Sequence, residues 1–111
     1  MMRLCSLLAR LLPLFGAVLL LGTSGATAFQ SATVHTVGQV YQPDDLTVAA
    51  GTAVNFYNDD TDIHTITAKN GSFDSGLMFQ GGNWTYVFNS PGVYEYYCLP
   101  HPWMLGKVTV Q

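Results

Sequence analysis

Near its C-terminus the chain reads YYCLPHPWMLGKVTVQ, which sets a thiol, an imidazole and a thioether three residues apart at Cys98, His101 and Met104. Each is ordinary alone. A buried cysteine is commonly a small apolar core residue, and a methionine fills gaps. Together they lie on a short loop whose path is restricted by Pro100 and Pro102, so side chains at i, i+3 and i+6 can turn toward one point. Upstream, His64 offers a fourth donor from a different segment. Zinc sites favour cysteine and histidine, and a methionine ligand there would be unusual. Two imidazoles, one thiolate and a weak axial thioether are instead the donor set of electron-transfer copper centres. With every position filled by protein, no open position remains for a substrate, which argues against an enzyme.

The elements that must position these residues are short β-type runs separated by turn residues, a pattern that predicts a sandwich or barrel. They are SATVHTV, two runs within DLTVAAGTAVNFYN broken at Ala50-Gly51, IHTITA, NWTYVF, GVYEYYC and GKVTV, about seven strands in all. GSFDSGLMFQGG reads as a loop or a short irregular helix. Alternation decides which side chains face inward. In GVYEYYC, Tyr94, Tyr96 and Cys98 share one face, and the charge of Glu95 marks the other as wet. In DIHTITA, His64 and Ile66 share the apolar face, with Thr65 and Thr67 on the opposite one. His64 and Cys98 are therefore expected to face the same interior.

The chain has 111 residues, enough for one domain. Residues 1–28 differ from the rest: Arg3 and Arg10, a leucine-rich run from Leu11 to Leu21, then Ala26-Thr27-Ala28. This is the layout of a secretory signal peptide cut after Ala28. The apolar run is short for a membrane span and is interrupted by Pro13. Export to the periplasm is the expectation, with a photosynthetic lumen also reached by export. Cys5 lies too far from the cut to become a lipidated N-terminus. The mature chain, residues 29–111, would keep Lys69 and Lys107 against seven acidic residues, for a net charge of −5. Nucleic acid is a poor partner for such a chain, and a basic docking surface is a better one. Cys98 would be the only cysteine left, so no internal disulfide is expected, and an odd cysteine in an exported chain is intermolecular, reactive or ligating.

Essentially all of residues 29–111 resembles the cupredoxins, type 1 blue copper proteins of the plastocyanin, amicyanin and pseudoazurin type. YEYYCLPHPWMLGKVTV is similar to their ligand loop, Cys-x-x-His-x-x-Met followed by a closing Gly-Lys-Val strand. PDDLTVAAGTAVNFYNDDTDIHT is similar to the strands leading to the first ligand histidine, and FDSGLM with GGNWTYVFNSPGVYEYYC to the segment returning through a Pro-Gly turn. The resemblance implies an all-β, eight-strand-like Greek-key sandwich as one plastocyanin-like copper-binding domain. It also implies one type 1 copper, with His64, Cys98 and His101 equatorial and Met104 axial. The function it implies is a small exported electron carrier, a monomer that docks transiently with a redox donor and acceptor near His101. One departure is Thr65, where the family often has asparagine directly after the first ligand histidine. Its N–H could still donate to the Cys98 sulfur, and its hydroxyl could tie the two ligand segments together.

Around His101, the residues Pro100, Pro102, Trp103 and Leu105 form an apolar run, which Leu77, Met78 and Phe79 could extend. This is expected to shield the site from water and to serve as a docking patch. Asp59, Asp60 and Asp62 read first as a solvated turn and second as a patch steering a basic partner. His35 reads as an exposed or edge-strand residue. A copper storage or delivery module is the alternative function, although delivery sites usually need accessible ligands.

Overall fold

The computed structural model describes residues 30–111; the expected signal peptide and its cleavage site lie outside the described residues. Eight strands follow one another: β1 (Ser31–Val37), β2 (Val40–Gln42), β3 (Asp45–Val48), β4 (Thr52–Asn58), β5 (Thr67–Ala68), β6 (Asn83–Phe88), β7 (Gly92–Tyr97) and β8 (Leu105–Val110). They form two four-stranded sheets, β2-β1-β4-β6 and β3-β8-β7-β5. Consecutive strands repeatedly change sheet. β1 runs parallel to β4, and β3 parallel to β8, while β4–β6 and β7–β8 are antiparallel. This is the expected Greek-key β-sandwich. No helix among the described residues is long and apolar enough to cross a membrane.

The faces follow the alternation of the sequence. In β1, Val34 and Thr36 are buried and His35 is exposed. In β7, Tyr96 is fully buried between an exposed Glu95 and a half-buried Tyr97. Between the sheets, Tyr96 meets Tyr41 edge-on at 4.8 Å and Phe56 at 5.6 Å. Phe73 meets Phe88 edge-on at 5.5 Å. Fully burying such a ring contributes roughly 1.5–3 kcal/mol, and each edge-to-face pair adds about 0.5–1.5 kcal/mol. With no disulfide at Cys98 among the described residues, this aromatic core is what holds the small sandwich together.

Gly106 shows how closely the core is packed. It stands opposite Tyr96 in the β7–β8 ladder, and a Cβ there would run into the Tyr96 ring. The Tyr96 ring occupies the space a side chain would fill.

The structure corrects three expectations. IHTITA yields only the two-residue β5, because Ile66 bonds instead to Ser75 and His64 to Met78 in the returning loop. Thr65, expected on the face opposite the apolar one, is nevertheless fully buried, and its hydroxyl accepts the Leu99 N–H of the chain leaving Cys98. Leu105 opens β8 rather than lying on the loop, and lines a shallow groove with Asp45, Glu95 and Lys107. The eighth strand, β2, is too short for its alternation to register in the sequence.

Candidate metal centre

The loop after β7 is built from two tight turns. The His101 N–H donates to the Cys98 carbonyl at 3.3 Å, and the Met104 N–H to the His101 carbonyl at 2.9 Å. Each three-residue step thus closes on itself, with a proline inside each turn. Cys98 and Met104 point inward and are buried, while His101 is half-buried at the rim. The expected spacing of donors is therefore the spacing of two successive turns.

His64 arrives from the acidic turn after β4. Asn58, fully buried, fastens that turn: its Nδ2 donates to the carbonyls of Asp62 and Met78, both at 2.8 Å, and its Oδ1 accepts the Asp60 N–H at 2.9 Å. The His64 backbone exchanges two bonds with Met78, at 3.1 and 2.8 Å. Its ring is oriented by Asp60, whose Oδ2 lies 2.9 Å from Nε2. A carboxylate only accepts, so Nε2 carries the proton and Nδ1 keeps its lone pair. Nδ1 then faces the Cys98 Sγ at 3.6 Å, and His101 Nδ1 faces the same sulfur at 3.5 Å.

Asp60 was not expected in this role; within the acidic turn it read as solvated or as part of a steering patch. It also accepts the Gly38 and Gln39 N–H groups at 2.7 and 2.9 Å. Those residues form the two-residue β1–β2 turn, both with positive φ, 63° and 59°. Gln39 is not a glycine, and its left-handed backbone costs about 1–3 kcal/mol unless the surroundings hold it. Partial burial pushes the Asp60 carboxyl up, but the Gln39, Gly38 and His64 contacts outweigh this and hold it below the usual carboxylate range. The sequence signal was an acid four residues before the histidine, indistinguishable there from ordinary turn composition. Asp59 and Asp62 stay peripheral, bonding His35 at 2.7 Å and Gln39 at 2.8 Å. His35, exposed as expected, also stacks on Tyr57.

The bonds expected of Thr65 are present. Its N–H donates to Cys98 Sγ at 3.3 Å, and its hydroxyl accepts the Leu99 N–H at 2.9 Å. Its carbonyl accepts the Tyr41 hydroxyl at 2.6 Å, a clamp that sequence alone did not disclose. Burial, with smaller contributions from Cys98 and Tyr96, pushes the Tyr41 phenol far above its usual range.

The fit to a metal can be tested on these distances. The ligand atoms of His64, Cys98 and His101 all lie within 4.8 Å of one another. Three donors about 2.1 Å from one ion in a common plane would stand about 3.6 Å apart. The two sulfur–nitrogen separations match that value. The set is soft, His64 and Cys98 are wholly buried, and the histidine tautomer is fixed by an outer carboxylate, as metal-ligating imidazoles require. These residues fit a thiophilic metal that also takes imidazole, and Met104, the last residue of the same loop, is buried.

A family model described as copper binding proteins, plastocyanin/azurin family, matches residues 28–111. Amicyanin-alpha of Methylorubrum extorquens is 32% identical over 76 residues, covering 64% of this chain and 64% of its own length. The chain thus spans less than two thirds of that relative. Among solved structures, a purple cupredoxin from Nitrosopumilus maritimus aligns with a TM-score of 0.66 at 35% identity, covering 72% of this chain and 99% of that one. A reduced tryptophan-to-tyrosine variant of amicyanin aligns with a TM-score of 0.70 at 27% identity, covering 77% and 86%.

Proposed function

We propose that this chain, which belongs to the plastocyanin/azurin family of copper-binding proteins and is therefore a cupredoxin with copper as its cofactor, is a small exported electron carrier. His64, Cys98 and His101 would hold the copper as its strong donors, with Met104 as a weak thioether donor. Bound copper supplies a one-electron couple between Cu(II) and Cu(I). The observation that carries the reading is the buried thiol flanked by two imidazole nitrogens at 3.5 and 3.6 Å. The protein's own part is to keep those donors fixed. Asp60 holds the His64 ring, Thr65 holds the sulfur, and the two turns hold His101. Ligands that need not move between oxidation states favour rapid exchange of an electron, whereas storage or delivery would need ligands that open.

Electrons would pass at the rim where His101 is half-buried. Trp103 packs edge-on against the His101 ring at 5.3 Å and is 64% exposed. Pro100, Pro102, Leu77 and Phe79 are also exposed. An apolar rim lets a redox partner exclude water and approach closely, while a charge there would have to be desolvated. The leader-like residues 1–28 support export, with the periplasm as destination, and a monomer suits transient docking with donor and acceptor.

The deciding test is the visible and paramagnetic spectrum of the copper-loaded protein, with voltammetry. An intense thiolate-to-copper band and a reversible one-electron wave are expected. Copper binding without that band, or copper readily surrendered to chelators, would favour storage or delivery.

A further inference from the structure

Beyond Thr65 a line of hydroxyls leads away from the site. Thr65 Oγ1 lies 2.8 Å from Thr67 Oγ1, and Thr67 Oγ1 donates to Asp74 Oδ1 at 3.1 Å. Thr65 is fully buried, Thr67 half-buried and Asp74 exposed. Each hydroxyl has one proton to give, and an ionised carboxylate can only accept. Thr67 must therefore spend its proton on Asp74, which leaves its lone pair for the proton of Thr65. Thr65 in turn keeps a lone pair for the Leu99 N–H, 2.9 Å away. One carboxylate at the surface thus fixes which way both hydroxyls point, in a line of three hydrogen bonds that ends at the Leu99 N–H beside Cys98.

We infer that Asp74 and Thr67 are positioning residues for the ligand loop, acting through Thr65 on Leu99 and so on the Cys98 sulfur. The relay joins the two segments that meet at the sulfur, since Thr65 also donates its own N–H to Sγ. Polarised chains strengthen each member, and the bonds around a ligating sulfur tune its metal. The neighbouring Ser75 lies outside the relay: its hydroxyl accepts the Ile66 N–H at 2.8 Å, tying the segment of Thr65 and Thr67 to the loop that carries Asp74 without reaching Leu99. Asp74 Oδ1 also accepts the Gly76 N–H at 3.0 Å, a local turn bond that Thr67 does not share.

The inference depends on the copper reading for one of its two readouts only. In the metal-free full chain, amide hydrogen exchange at Leu99 reads the relay directly. Thr67→Val and Asp74→Ala should each speed it about five- to tenfold, the scale of one lost hydrogen bond. The double variant should add nothing to the larger single effect, because both break one chain. Thr67→Ser, which keeps the hydroxyl, should restore the wild-type rate, and Ser75→Ala should leave it unchanged. In the copper-loaded protein, Thr67→Val and Asp74→Ala should shift the midpoint potential in the same direction, while Ser75→Ala does not. Wild-type exchange at Leu99 in both single variants would overturn the relay, as would an equal effect from Ser75→Ala, which would reduce the contact to simple packing. A relay that passes the exchange test in a protein that takes up no copper would instead refute the metal assignment.

Discussion

Thr65 uses every polar group it has: N–H to sulfur, carbonyl to Tyr41, hydroxyl to Leu99 and Thr67. Tyr41, which bonds Thr65, and Tyr96, which packs on Tyr41, differ in this respect, and the difference predicts opposite outcomes. Tyr41→Phe would strand the buried Thr65 carbonyl and should cost about 1–3 kcal/mol. The Tyr96 hydroxyl is buried with no partner among the described residues, and burial pushes its phenol well above the usual range. Tyr96→Phe removes an unpaired polar atom and should be neutral or stabilising by about 1 kcal/mol. Urea midpoints at neutral pH measure both, and a larger loss for Tyr96→Phe than for Tyr41→Phe would contradict this reading of the core. At the site itself, Cys98→Ala should abolish the charge-transfer band and leave a folded sandwich, as circular dichroism would report. Met104→Gln should keep copper and lower the potential, because a harder oxygen donor favours Cu(II). An unchanged potential and spectrum would remove Met104 from the ligand set.

At the scale of the elements, the β7–β8 pair carries the site. β7 ends at Tyr97, immediately before Cys98, and β8 begins at Leu105, immediately after Met104. Their ladder clamps both ends of the ligand loop, and the Tyr96–Gly106 pair sits one step in from that opening. Gly106→Ala should force the Tyr96 ring to move and cost about 1–3 kcal/mol. The loss should appear in the metal-free protein as well, read by thermal unfolding, since it arises from packing. The exposed ion pairs on this sheet, Lys69–Glu95 at 3.8 Å and Lys107–Asp45 at 3.7 Å, contribute little by comparison. The other supporting element is the acidic turn. Through Asp60 it fastens the β1–β2 hairpin tip to the His64 ring, so one carboxylate serves both backbone strain and ligand orientation.

For the whole molecule, the proposed function would have charge and apolar surface divide the work of meeting a partner. The excess of acidic over basic residues should govern long-range approach, and the exposed rim around His101 close contact. Leu77→Glu should slow electron transfer to the physiological partner at both low and high salt, with colour and potential retained. Asp62→Asn, away from the ligands, should change mainly the salt dependence of association. Stopped-flow kinetics of both variants distinguishes the two contributions. If Leu77→Glu transfers at the wild-type rate and Asp62→Asn does not, docking lies on the acidic flank.

The spacing of Cys98, His101 and Met104 was legible in the sequence because two consecutive turns make it a local property. The inward face of β7 was legible because alternation is local too, and the resemblance of the whole span to the cupredoxins rests on such local patterns. Thr65 escaped alternation because its segment is barely a strand, and its hydroxyl is held by the Leu99 N–H, 34 residues away. Asp60 could not be told from its neighbours Asp59 and Asp62 by composition. Only the fold brings the His64 ring to one of the three carboxylates and a hairpin tip to the same one. Which residues could bind a metal was written along the chain, in donor types and short spacings. Which residues hold those donors still was decided in three dimensions, because hydrogen-bond partners are chosen by proximity, and proximity between distant segments exists only once the two sheets have packed.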